Sequence, residues 1–145
     1  MNQPSLFQPP SEWIPPESVP NLSDAKEIAI DLETKDPDLM KKGSGSVIGN
    51  GEVIGVAVAT KFYKGYFPIA HEGGGNMDRS RVLSWLKDIL ESPSTKVFHN
   101  AIYDVCWLRA MGFKINGDIA CTMIAAALTD ENRFRYDLNL SLIHI

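Results

Sequence analysis

The stretch Glu27-Ile28-Ala29-Ile30-Asp31-Leu32-Glu33-Thr34 constrains this chain more than any other. A short apolar run passes directly into two carboxylates with one residue between them. Isoleucine favours a strand, and in a strand residues i and i+2 point to one side. Asp31 and Glu33 are therefore expected on one face, at the end of a buried strand over about residues 26–32. Two acids held so close repel each other and lose water, which costs roughly several kcal/mol if nothing positive joins them. A divalent cation relieves both effects, and Mg²⁺ or Mn²⁺ takes oxygen ligands. The same residues suit a strand that runs out into a solvated acidic loop, so this stretch alone leaves both readings open.

At 145 residues the chain is sized for one compact domain. It carries 18 acidic and 14 basic residues, a net charge of −4. That balance excludes nucleic-acid binding driven by bulk charge, but not an enzyme that reaches a phosphate through bound cations. Cys106 and Cys121 form no CxxC pair, which points to a reduced intracellular protein rather than a disulfide scaffold. No apolar run approaches the ~20 residues of a membrane span, and the N-terminus lacks a signal-peptide core. Six of the nine prolines fall within residues 1–20. Residues 1–25 are expected to form an extended arm, with Leu6, Phe7, Trp13 and Ile14 pinning it to the domain or to a partner. Residues 26–145 are expected to form the folded unit.

After the acidic strand, residues 35–51 read as a mobile glycine- and serine-rich loop. The loop lacks the GxxxxGK[ST] spacing of a phosphate cradle. The segments Glu52 to Thr60 and Lys61 to Ala70 are rich in Val, Ile and aromatics and suit a hairpin, making a three-stranded meander with the first strand. His71-Glu72-Gly73-Gly74-Gly75-Asn76 lacks the HExxH spacing of a zinc site and reads as a loop near substrate. Asp78 suits a helix N-cap, and Val82, Leu83, Trp85, Leu86, Ile89 and Leu90 recur at helical spacing over residues 79–91. Lys96-Val97-Phe98 reads as a short buried strand. His99-Asn100-Ala101-Ile102-Tyr103-Asp104 then opens a second helix that runs to about Met111, with Gly112 at its C′ position. Asn100 and Asp104 lie four apart and share a helix face, and the helix dipole favours an ionised Asp104. An asparagine cap with an exposed acid in the first turn fits the same residues. Phe113-Lys114-Ile115 suits an edge strand, and Met123 to Leu128 a third helix capped by Thr122 or Cys121.

This order of elements is an α/β arrangement around a mixed sheet, with the acids meeting at strand and helix ends. Three converging carboxylates suit a two-metal site, in which two cations about 3.5–4 Å apart activate water and steady the leaving oxygen.

Asp31-Leu32-Glu33-Thr34 resembles the first motif of the DEDD superfamily of 3′–5′ exonucleases, and His99-Asn100-Ala101-Ile102-Tyr103-Asp104 resembles the second, in the form HNxxYD. The likeness is greatest to the proofreading domain of family A DNA polymerases of bacteria and phages, and it runs over about residues 26–140. It implies a ribonuclease H-like fold, a mixed sheet flanked by helices. It also implies two divalent metal ions, Mg²⁺ or Mn²⁺. By this resemblance Asp31 bridges both metals, Glu33 helps hold the metal that activates water, and Asp104 holds the second through water. Asn100 touches the terminal nucleotide or orders the groups around the ligands, and Leu32 and Thr34 lie along the nucleotide. The implied substrate is a single-stranded or frayed 3′ end of DNA, and the product a nucleoside 5′-monophosphate. A polymerase domain is expected in the same full-length chain, in the cytoplasm of a bacterial or phage-infected cell.

The chain departs from the family pattern in two places. The third motif, a tyrosine followed four residues later by aspartate, is missing: Tyr136 is followed by Leu140 and Tyr103 by Trp107. Cys121-Thr122-Met123 stands where relatives commonly show Asp-Thr-Met. The chain is therefore expected to be cut off before its fourth acid and to cleave poorly by itself. A ribonuclease D-like exoribonuclease and a noncatalytic DNA-end-binding module are the alternatives.

Overall fold

A computed structural model describes residues 13–138. Leu6 and Phe7 of the expected arm, and the apolar residues after 138, lie outside the described residues. The strands are β1 (Glu27–Lys35), β2 (Glu52–Ala59), β3 (Lys64–Pro68), β4 (Thr95–Phe98) and β5 (Ile119–Cys121). They form one mixed sheet in the order β3-β2-β1-β4-β5. β1, β2 and β3 make the expected antiparallel meander. β4 and β5 add to the other edge of β1 in parallel, which requires crossovers. Helix α3 (Arg79–Glu91) carries the chain from β3 to β4, and α4 (Ala101–Ala110) carries it from β4 to β5. This is the ribonuclease H-like α/β class expected from the sequence.

Apolar alternation decides which face of the sheet is covered. Ile28, Ile30 and Leu32 of β1 lie on the same face as Val56 and Val58 of β2 and Phe67 of β3. All are buried with Val82, Trp85, Leu86, Ile89 and Leu90 of α3 and Trp107 and Leu108 of α4. The Phe67 and Trp85 rings meet at 4.6 Å. α3 forms where its periodicity places it, and the Asp78 carboxylate accepts from the Arg81 N–H at 2.7 Å as an N-cap. One buried strand position is a lysine. The Lys96 side chain crosses the apolar layer and donates to the carbonyl oxygens of Ser92, Ser94 and Asn116, and burial pushes its pKa down. The indole of Trp85 donates to the Pro20 carbonyl at 2.7 Å, and Val19, Leu22 and Ala25 pack on the core. Trp13 lies against the Tyr66 ring at 5.7 Å. Ile14 is exposed.

Four expectations need correction. β1 continues to Lys35, so both acids lie inside the strand rather than at its end; pairing with β2 extends to Lys35–Glu52. A β-bulge between Glu33 and Thr34 absorbs the irregularity, as bulges beside functional sites often do. The loop after β1 folds into two short helical turns, α1 (Leu39–Lys42) and α2 (Gly45–Ile48), because both Asp36 carboxylate oxygens accept from the Gly45 N–H. β3 begins only at Lys64, since Thr60 Oγ1 takes the N–H groups of Phe62 and Tyr63 into a turn. Residues 113–115 are not a strand. With Gly112 at φ 87°, Phe113 N–H folds back onto the Leu108 carbonyl at 3.0 Å and ends α4. The edge strand is β5, which leads into α5 (Thr122–Thr129).

Candidate active site

β4 pairs with β1 only as far as Val97–Ala29. It then ends, and Asn100 turns the chain into α4 at φ 62° and ψ 56°. This left-handed conformation is unusual for any residue but glycine, and asparagine tolerates it best. The turn aims the first coil of α4 at the freed edge of β1. There the backbone N–H of Leu32, the residue between Asp31 and Glu33, donates to Asp104 Oδ1 at 3.0 Å. Asp104 is only 3% exposed, which rules out the exposed-acid reading of this helix start. Asp104 of α4 is thus brought against the segment of β1 that carries Asp31 and Glu33.

The electrostatics follow from that approach. Burial raises the pKa of Asp104 to about 6; the Leu32 N–H opposes the rise, and the charge of Asp31 adds to it. Asp31 is also raised, first by desolvation and then by Glu33, while His99 works the other way. Asp31 therefore feels an acid on its own strand, and its charge is felt by the acid on the helix. Every donor atom is oxygen, the chemistry that suits a hard divalent cation. The fit is partial: among the described residues no three His, Cys, Asp or Glu side chains draw together into a single metal cage. The arrangement is two acid pairs sharing Asp31.

Other residues frame the acids. Asp31, Tyr66, His99 and Thr122 line a cleft of about 590 Å³ on the face of the sheet opposite the packed one, uncovered among the described residues and floored by Ala29, Ala57 and Ala59. The His99 ring is held by Thr122 Oγ1 at 2.9 Å and the Tyr136 carbonyl at 2.8 Å. Thr34 Oγ1 and the Tyr103 hydroxyl are 2.7 Å apart, and that hydroxyl donates to Asp36 at 3.0 Å. This chain of bonds ties α1 and α2 to the start of α4. Asn100 is exposed at the start of α4 and makes no side-chain cap. The cap comes from elsewhere: Cys121 Sγ accepts from the Ala101 N–H at 3.4 Å. At the N-terminus of α5, where Thr122 or Cys121 is expected to cap, Cys121 occupies the cap position and makes no capping bond to α5 itself.

Leu32 departs from its expected place. Its side chain is 6% exposed and packs in the core, because it alternates with the two acids; only its backbone faces the site. Asp36 and Tyr66 carried no local signal, since their partners are far away in sequence. Gly55 did carry one. A glycine inside a strand marks a close approach, and here the Tyr66 ring lies across it.

Residues 15–142 match the 3′–5′ exonuclease family of family A DNA polymerases. A DNA-directed DNA polymerase of Pseudomonas phage M6 is 42% identical, the match covering 76% of this chain and 18% of that protein. DNA polymerase DpoZ of Acinetobacter phage SH-Ab 15497 is 30% identical over 83% of this chain and 17% of its own length. The chain thus spans less than a fifth of these relatives. Among solved structures, Brucella melitensis NrnC with bound Mg²⁺ superposes with a TM-score of 0.57 at 21% identity, covering 83% of this chain and 54% of that one. With the acid motifs on β1 and α4 and a family match over nearly the whole described fold, this chain belongs to the 3′–5′ exonucleases of family A DNA polymerases.

Proposed function

We propose that this chain is the first part of a proofreading exonuclease domain, whose full-length parent removes nucleotides from the 3′ end of DNA as nucleoside 5′-monophosphates. The observation that carries the reading is the buried Asp104 carboxylate seated on the N–H between Asp31 and Glu33. Nothing about the fold requires an acid there, and its ionised form is disfavoured until a cation arrives. Asp31, Glu33 and Asp104 would hold two divalent cations, Mg²⁺ or Mn²⁺. When bound, such cations supply positive charge to water and to the phosphate oxygens. Asp31, shared by both acid pairs, would bind on both sides. Glu33 and Asp104 would each complete one pair. Asn100, exposed at the start of α4, and Thr34, bonded to Tyr103, would orient the terminal nucleotide. Leu32 would contribute its backbone alone.

In this reading residues 1–25 are an arm and residues 26–145 the first part of the exonuclease domain. The polymerase portion belongs to the same longer chain, which works in the cytoplasm of a bacterial or phage-infected cell. No helix among the described residues is long and apolar enough to cross a membrane. With three acids and no YxxxD motif, the 145-residue chain itself should bind divalent metal weakly and cleave slowly.

A 3′-labelled single strand incubated with Mg²⁺ or Mn²⁺ tests this, comparing the present chain with a version extended through the downstream sequence. Mononucleotide release by the extended form, abolished by Asp31→Ala, supports the reading. Undiminished release by Asp31→Ala refutes it. Binding of the 3′ end without release by either form favours a noncatalytic end-binding module.

A further inference from the structure

We propose that Tyr66 and His71 are a positioning pair for Glu33, so that the His71 loop controls how tightly the acid site takes up a divalent cation. This rests on the metal-binding reading of Asp31, Glu33 and Asp104 given above.

The placement comes from strand register. Asp31 pairs with Ala57, which pairs with Tyr66, so Tyr66 stands in the row of Asp31 on the uncovered face. Its ring leans along the sheet over Gly55, the residue paired with Glu33. A Cβ on Gly55 would lie 1.9 Å from the Tyr66 hydroxyl, so glycine there keeps open the space the tyrosine uses. His71 meets Tyr66 edge-on, with ring centroids 5.8 Å apart at 78°, and its Nε2 is hydrogen-bonded to the Tyr66 hydroxyl.

The loop that carries His71 is fixed from several sides. Asn76 accepts from the His71 N–H at 2.7 Å and donates to its carbonyl at 2.8 Å. The Met77 N–H bonds the Pro68 carbonyl at 2.8 Å. Glu72 pairs with Lys35, the last residue of β1.

The direction of the pair follows from charge. A carboxylate only accepts hydrogen bonds, whereas a phenol carries one O–H that donates. For the pair to serve Glu33, the Tyr66 O–H points toward that carboxylate, and His71 carries its proton on Nε2 and donates it to the phenol oxygen. Glu33 is an exposed side chain with several rotatable bonds, and a cation must order it on binding. A donor held at one point of the face narrows the positions Glu33 takes beforehand, as hydrogen-bonding partners of metal ligands generally do.

The test is a Mn²⁺ titration of the 145-residue chain up to millimolar metal, with unfolding of each metal-free variant measured alongside. Tyr66→Phe keeps the ring packed and removes only the hydroxyl. It should weaken Mn²⁺ binding about tenfold and lower metal-free stability only by the loss of its bond to His71. His71→Leu should do the same, and the double variant no more than either single. His71→Gln, which keeps an N–H near Nε2, should bind within about twofold of wild type. Gly55→Ala, which evicts the hydroxyl, should match Tyr66→Phe. Asp31→Asn should abolish binding. If Asp31→Asn abolishes binding while Tyr66→Phe binds as wild type does, the positioning pair is overturned and the acid site stands. If Asp31→Asn binds as well as wild type, or wild type takes up no Mn²⁺, the acid site falls and the pair with it.

Discussion

Along β1, neighbouring side chains live under opposite rules. Ile28, Ile30 and Leu32 are 1%, 2% and 6% exposed and pack beneath α3 and α4. Asp31 and Glu33 alternate with them on the uncovered face, where burial and then Glu33 raise the pKa of Asp31, and the charge of Asp31 adds to the rise that burial causes at Asp104. One face of the strand gains from being folded; the other is held in an unfavourable state by it. The difference shows that the packed face sets the stability of this chain, and that its rigidity is what holds the two acid pairs that share Asp31. Strain of this kind persists where the surrounding structure over-determines it.

The comparison is most easily broken on the packed face. Phe67→Ala should cost about 3–5 kcal/mol in denaturant unfolding, because Phe67 is fully buried against Trp85 and its removal leaves a cavity. A loss under about 1 kcal/mol would mean that the two faces do not differ as described.

Asp104 sharpens the other side. Its folded pKa of about 6 lies above the ordinary 3.8, so the folded chain holds this proton more tightly than the unfolded chain. The group costs nothing below about pH 4. The cost grows as pH rises through 6 and reaches about 3 kcal/mol at neutrality, at roughly 1.4 kcal/mol per tenfold change in proton affinity. Asp104→Asn keeps an acceptor for the Leu32 N–H. In chelator, its stability advantage over wild type should therefore be absent at pH 4 and largest at pH 7, as read by unfolding at each pH. Mn²⁺ at pH 7 should stabilise the wild type and not the variant.

Smaller effects are expected at the edge of the site and on the floor of the cleft. Tyr103→Phe removes the bonds to Thr34 and Asp36 and should cost about 1 kcal/mol, with faster amide exchange at Gly45, whose N–H rests on Asp36. Ala57→Ser, on the uncovered face beside Val56 and Val58, should change unfolding by less than about 0.5 kcal/mol.

Much of this was legible in the sequence for a local reason. The i, i+2 spacing of Asp31 and Glu33 needs only the pleat of a strand to put them on one face. The helix over residues 79–91 needs only its apolar period and its Asp78 cap. The HNxxYD segment marked a helix start bearing an acid. The bounds that failed were those settled by a distant partner. β1 is longer than expected because β2 pairs along it, the loop after it is folded because Asp36 reaches Gly45, and the edge strand lies at Ile119–Cys121 because β4 offers an edge there.

The sequence by itself determined which residues are acids, their spacing, and the alternation that buries one face of β1, since each depends on neighbours along the chain. Only the tertiary structure decided that Asp104 is buried rather than exposed, that Leu32 contributes its N–H rather than its side chain, and that Tyr66 stands beside Glu33. These depend on where β4 stops and how Asn100 turns the chain, and on a register that brings β3 to the row of Asp31 across β2. No local pattern encodes them, because the groups that settle them come from separate strands and a helix that meet only when the sheet closes.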